Sequence, residues 1–292
     1  MKLATIVEGN AHLVGVVDST ARTARIVSRV GGRPVATMLE IIDRVAAGDR
    51  QFDYGATVSL DKVRLAAPIP RPHRNILCVG KNYHEHAREF AKSGFDRGAT
   101  SASDAVPEAP IIFTKFPQTV IATGDVIQCP EALAQALDYE AELAVVIGRE
   151  GKSISRDRAY EHVFGYAIAN DVTARDLQKK HAQWFLGKSA DGFCPFGPWI
   201  TTADEVDSGN LNLRCWVNGE LRQNANTRDL IFDIPTLIAT ISAGIRLLPG
   251  DIISTGTPVG VGIGFNPPKF LKRGDVVAIE IEGLGRIENS IG

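Results

Sequence analysis

Asp138, Glu140 and Glu142 alternate through the stretch Leu137-Asp138-Tyr139-Glu140-Ala141-Glu142, and the next five residues, Leu143 to Ile147, are all apolar. An apolar run of that length, rich in β-branched residues, predicts a buried strand. Side chains two apart on a strand share a face, so three acids are expected side by side at the mouth of a core strand. Carboxylates so placed repel, and burying one without a partner costs on the order of several kcal/mol. A cation among them removes both penalties. With no Cys or His in the set, the donors suit a hard divalent ion, Mg²⁺, Mn²⁺ or Ca²⁺. The alternative is a solvated strand end, or acids paired with Arg or Lys. A second apolar stretch, Phe164 to Asn170, also runs into an acid, Asp171. Two buried strands ending in carboxylates favour the metal.

Other residues offer proton chemistry and charge. His86 and Glu89 lie three apart in a segment, Tyr83 to Lys92, that reads as a helix. They therefore share a face. A carboxylate beside an imidazole fixes its tautomer and raises its basicity, as a general base requires. Arg175 and Gln178 share the same spacing on a helix predicted to start at Thr173-Ala174-Arg175-Asp176, which has the form of a capping box. Lys188 sits in an aromatic-rich stretch, where a desolvated ammonium serves as an electrophile or anion binder. Its Gly-Lys-Ser is not a P-loop, because Ala182 stands where the first Gly belongs. The segment Asp251 to Gly264 carries a strand into a glycine-rich loop whose N–H groups suit a carboxylate, although a plain tight turn reads equally well.

The elements that position these groups follow from pattern. Residues 1–70 read as a small N-terminal domain with strands Lys2 to Val7 and Leu13 to Val17 and a helix from Met38 to Ala47, closed by a proline-rich linker at Ala66 to Pro72. Residues 71–292 read as the catalytic domain. Within it, Ser93 to Pro110 is a Gly-, Ala- and Ser-rich loop with the makings of a lid. Ser155 to Glu161 reads as a short helix and Ile234 to Leu247 as the longest one.

The composition excludes several classes. A formal net charge of −2 gives no footprint for nucleic acid. No apolar run approaches the roughly 20 residues that span a bilayer, so neither nucleic acid nor membrane is expected as a partner. The four cysteines are scattered without a C-x-x-C pair and read as reduced thiols, which suits the cytoplasm.

Taken together, the motifs resemble the fumarylacetoacetate hydrolase family. The elements carrying the resemblance are Val79-Gly80-Lys81-Asn82-Tyr83 with His86 and Glu89, Asp138 to Leu143, Asn170 to Asp176, Gly187-Lys188-Ser189 and Thr255-Gly256-Thr257-Pro258. The resemblance covers the chain from about residue 70 onward. It implies a mixed α/β, strand-rich fold, a β-sandwich roll, in a homodimer with one Mg²⁺ or Mn²⁺ (or Ca²⁺) per subunit. Glu140, Glu142 and Asp171 match the metal ligands. His86 and Glu89 match the water-activating dyad, Lys188 the active-site lysine, and Arg175, Gln178 and Thr257 the substrate contacts. Val79 stands where the founding animal enzyme carries a fourth carboxylate ligand, and Asp138 is expected to pair with Lys or Arg. The implied reaction is metal-dependent hydrolysis of the C–C bond of a 2,4-diketo acid, an acylpyruvate or a diketo-deoxy sugar acid, to pyruvate and a carboxylic acid. Oxaloacetate-type decarboxylation and hydroxydienedioate isomerisation are the alternatives on the same metal-enolate site.

Overall fold

The computed structural model describes residues 1–95, 105–128 and 135–292. Thirteen strands form one sheet, with Ala141–Ile147 near its middle between Val163–Asn170 and Ile252–Ser254. The order continues through Ile76–Gly80 to Ile111–Lys115 on one side, and through Cys194–Thr202 to Lys2–Glu8 on the other. Most pairings are antiparallel, while Ile252–Ser254 runs parallel to Ile76–Gly80. The N-terminal strands extend this sheet directly, since Lys2 and Leu3 pair with Thr201 and Ile200. A five-stranded sheet packs beside it, built from Val126–Ile127, Asn212–Val217, Glu220–Asn226, Val276–Ile281 and Gly285–Ile291.

The strand Ala141–Ile147 is buried on both faces, which is why its apolar run is continuous. Leu143, Val145 and Ile147 enter one core with Leu213, Ile279 and Ile287 of the second sheet. Ala144 and Val146 enter another with Ile41, Ile42 and Phe196. The period of two places Glu140 and Glu142 on the Ala144–Val146 face, at the open end of that second core.

Several expectations need correction. The capping box at Thr173 does not form: Thr173–Ala174 is a short strand paired with Leu137–Asp138, and the Thr173 hydroxyl donates to the Asp171 carbonyl. The helix begins at Arg175 with no side-chain cap. Asp138 is likewise separated from the acidic strand, because the ladder breaks at Tyr139 and Glu140. Arg156–His162 is a 3-10 helix, and the long helix stops at Gly244. Residues 96–104 of the expected lid lie outside the described residues, as does Cys129; Cys78, Cys194 and Cys215 are free and buried. No helix among the described residues is long and apolar enough to cross a membrane.

Candidate active site

Glu140, Glu142 and Asp171 meet at the end of two adjacent strands. The ladder sets Glu142 opposite Ala169, and the Asp171 N–H donates to the Glu140 carbonyl at 2.9 Å, so the three acids converge by register alone. One oxygen from each lies within 4.8 Å of the others. Glu140 is 5% exposed, and Glu142 and Asp171 1% each, which rules out a solvated strand end.

Buried cations surround the cluster. Lys188 Nζ donates to Glu140 Oε2 at 2.7 Å and Asp171 Oδ2 at 2.8 Å. Lys115 Nζ donates to Asp171 Oδ1 at 2.6 Å and to the Val172 carbonyl at 3.0 Å. Arg175 Nη2 lies 2.6 Å from Glu140 Oε1, and its Nε donates to Asp138 Oδ2 at 2.9 Å. Burial resists ionisation of Glu140, but Lys188, then Arg175 and His86, outweigh it and hold the carboxyl down at about 2. Glu142 is held by neutral donors, the Ser254 hydroxyl at 2.6 Å and the Gly256 N–H at 2.9 Å. Burial, with the charges of Asp171 and Glu140, pushes its carboxyl up to about 8. Burial opposes protonation of Lys188, yet Asp171 and Glu140 overcome it and raise its pKa.

Of the four buried carboxylates, Asp138, Glu140 and Asp171 pair with Lys115, Arg175 and Lys188, and Lys81, also buried, lines the same pocket. The repulsion of the neighbouring carboxylates falls on Glu142. A divalent cation fits this donor set. All donors are oxygens, each ionised carboxylate has about four lone-pair sites, of which the lysines and arginine use only part, and the added charge restores Glu142 to its ionised form.

His86 is 4% exposed, its Nδ1 is 3.0 Å from Glu89 Oε2, and it lines the same pocket as Glu140 and Glu142. Its other ring nitrogen is left for a ligand. Glu89 is held in turn by the glycine-rich loop, since its Oε1 accepts the Gly260 N–H at 3.0 Å. The loop has one organising role that the sequence did not reveal. Its N–H groups grip three of the protein's own carboxylates: Gly256 holds Glu142, Gly260 holds Glu89, and Gly262 and Ile263 hold Asp138 at 2.6 and 3.2 Å. Glycine is required at two of the contacts with Glu89. Gly260 has φ +105° and a Cβ there would overlap the Arg222 carbonyl oxygen, and a Cβ on Gly264 would overlap the Glu89 carboxylate.

Arg175, Gln178 and Thr257 all line the pocket. Arg175 Nη1 donates to Gln178 Oε1 at 3.3 Å, so these two act as a unit. The Thr257 hydroxyl donates to the Ala141 carbonyl at 3.0 Å and accepts from Gln223 Nε2 at 2.8 Å, which leaves a lone pair and no proton for a ligand. Lys188 spends two of its three N–H donors on carboxylates and so acts first as a charge partner of the cluster. Asp138 pairs with Arg175 as expected. Val79 lines the pocket as an apolar wall. Sequence reasoning missed Lys115, Ser254, Phe90, Phe113 and Trp184. Lys115 had a signal: on its strand it shares the face of Phe113, two residues before it, which also lines the pocket.

A strand-rich mixed α/β fold with a carboxylate cluster at the end of its central strands defines the class to which the fumarylacetoacetate hydrolases belong. The family model for the C-terminal region of fumarylacetoacetate hydrolase matches residues 75–292. Among curated relatives, the oxaloacetate tautomerase YisK of Bacillus subtilis is 51% identical over 235 residues, 80% of this chain and 75% of that protein. Among solved structures, the fumarylacetoacetate hydrolase of Exiguobacterium antarcticum is 40% identical with a TM-score of 0.85, covering 100% of this chain and 99% of that one. The 2-hydroxyhepta-2,4-diene-1,7-dioate isomerase of Mycobacterium marinum is 36% identical with a TM-score of 0.77, covering 100% and 98%. The chain belongs to the fumarylacetoacetate hydrolase family.

Proposed function

We propose that the protein is a metal-dependent enzyme that moves a proton between the keto and enol forms of a small 2-oxo dicarboxylic acid, with oxaloacetate as its substrate. The observation that carries this reading is that His86 lines one pocket with the carboxylates Glu140 and Glu142 and with Arg175 and Lys188, so a proton acceptor, a cation site and anion-binding groups face the same small ligand. Hydrolysis of an acylpyruvate, the reaction expected from the sequence resemblance, adds a water that His86 must activate, whereas proton transfer between keto and enol forms needs only the imidazole beside the substrate. The relatives named as an oxaloacetate tautomerase and a hydroxydienedioate isomerase support the same choice.

Mg²⁺ or Mn²⁺ held by Glu140, Glu142 and Asp171 supplies a Lewis acid, which acidifies the C–H next to the substrate carbonyl. The free nitrogen of His86 removes the proton from C3 or returns it, and Glu89 fixes the tautomer by holding Nδ1. Arg175 and the remaining N–H of Lys188 bind the substrate's carboxylates. Phe90, Phe113 and Trp184 wall the pocket and exclude water.

The retained His86–Glu89 pair also favours a second reading, C–C hydrolysis with His86 activating water. One experiment separates them. Decay of the enol absorbance of oxaloacetate and release of pyruvate from oxaloacetate and acetylpyruvate are followed with and without EDTA. The proposal predicts rapid metal-dependent enol decay with little pyruvate. Metal-dependent pyruvate from acetylpyruvate, without faster enol decay, overturns it in favour of the hydrolase.

A further inference from the structure

Trp184 is the residue that closes the pocket. It precedes the turn Phe185–Lys188, whose Lys188 N–H donates to the Trp184 carbonyl at 3.1 Å. From there the indole reaches across to the end of the strand Ile76–Gly80 and lies against Gly80. A Cβ on Gly80 would overlap the ring, with Trp184 Cη2 at 2.7 Å, and the three nearest atoms it would meet all belong to that ring. The edges of the indole are fixed by Phe113, with ring centroids 5.2 Å apart, and by Phe90 of the dyad helix, at 5.9 Å, both in near-perpendicular contact. Such edge-to-face pairs hold a ring in a defined plane.

These contacts join three separate elements across the pocket. The lysine turn, the strand that ends at Gly80 and the helix that carries His86 all meet at one indole. The indole, Phe90 and Phe113 line the same pocket as Glu140, Glu142 and Arg175. Resting on the function proposed above, we infer that Trp184, seated on Gly80, sets the substrate-length limit and restricts turnover to four-carbon 2-oxo diacids. A 2-oxo acid with an aryl group in place of the second carboxylate meets the indole. Truncating Trp184 admits it.

The test compares wild type, Trp184→Ala, Gly80→Ala and the double variant, using decay of the enol forms of oxaloacetate and phenylpyruvate. The ratio of kcat/KM for phenylpyruvate to that for oxaloacetate is expected to rise about tenfold or more in Trp184→Ala, the scale on which pocket shape discriminates between side chains. Gly80→Ala alone should depress turnover of both enols by displacing the ring. In the Trp184→Ala background the same change should cost little, since the three nearest atoms it would meet are gone. An unchanged ratio in Trp184→Ala overturns the inference, as does an equal cost of Gly80→Ala with and without the indole. A wild type inactive on both enols overturns the proposed function and this inference with it. Oxaloacetate turnover in the wild type with a flat ratio overturns the inference alone.

Discussion

His86 lines the same pocket as Glu140 and Glu142, yet the His86–Glu89 pair and the carboxylate cluster are held by different kinds of structure. Glu140, Glu142 and Asp171 are placed by the register of two adjacent core strands, each fully paired and buried on both faces. His86 and Glu89 ride on a nine-residue helix, His84–Lys92, with six residues exposed or half-buried and no side-chain cap. What fixes that helix to the site is one hydrogen bond from Gly260 to Glu89, the close approach of Gly264, and Phe90 packing on Val261 and Ile263. Charges that hold an ion gain from an element that cannot move, because no reorganisation is then needed when the ion binds. A proton-transfer pair can sit on an element of lower local stability, which is where moving parts of enzymes are found.

The sharpest break of that contrast is to remove a strand carboxylate. Glu140→Ala should abolish both Mn²⁺ binding, read by titration calorimetry, and turnover. It should also destabilise the fold by roughly 1–3 kcal/mol, because Lys188 and Arg175 each lose one of two buried carboxylate partners. His86→Asn should leave Mn²⁺ affinity within about twofold while lowering kcat by about 10²- to 10⁴-fold, the usual worth of a general acid–base. Gly264→Ala, which drives a methyl into the Glu89 carboxylate, should leave metal affinity intact and lower kcat by about tenfold to a hundredfold by misplacing the dyad. Ser254→Ala does the reverse on the strand side: losing the donor to Glu142 should weaken Mn²⁺ binding about tenfold, with a smaller effect on kcat at saturating metal.

The smallest effect concerns Asp251, at the other end of the strand that carries Ser254. Burial raises its pKa above the ordinary 3.8, against the opposing pull of the Leu248 N–H and Arg74. A raised acid favours the folded state while protonated, and that contribution is lost as pH rises through the folded pKa. The stability of the wild type relative to Asp251→Asn should therefore fall as pH rises through the acid range, measured by denaturant midpoints at several pH values. A relative stability that climbs instead contradicts the raised pKa.

The strand half of the site was legible because its logic is local. Alternation along Asp138 to Glu142 and the apolar run behind it put three acids at the mouth of a core strand, of which Glu140 and Glu142 do converge, and the pattern ending at Asp171 supplied the third member of the cluster. The partners were less legible because they come from far along the chain. Lys115 meets Asp171 across 56 residues, and Gly260 meets Glu89 across 171. No spacing rule spans such distances. The glycine-rich loop was readable as a cradle for carboxylates, but its occupants are the protein's own side chains. At Thr173 a local pattern misled: the hydroxyl that matched a helix cap bonds back to the Asp171 carbonyl and steadies the turn next to the carboxylate cluster.

The central claim is that the strand cluster binds the ion and the helix pair moves the proton. Exchange of the C3 protons of oxaloacetate into D₂O, followed by proton NMR with pyruvate release recorded in the same spectra, tests it most directly. Wild type and His86→Asn are compared at matched Mn²⁺ loading, with wild type in EDTA alongside. Fast metal-dependent exchange in the wild type, with little pyruvate and with exchange lost in His86→Asn, is the predicted result. Exchange that persists in His86→Asn, or that survives EDTA, contradicts the division of labour.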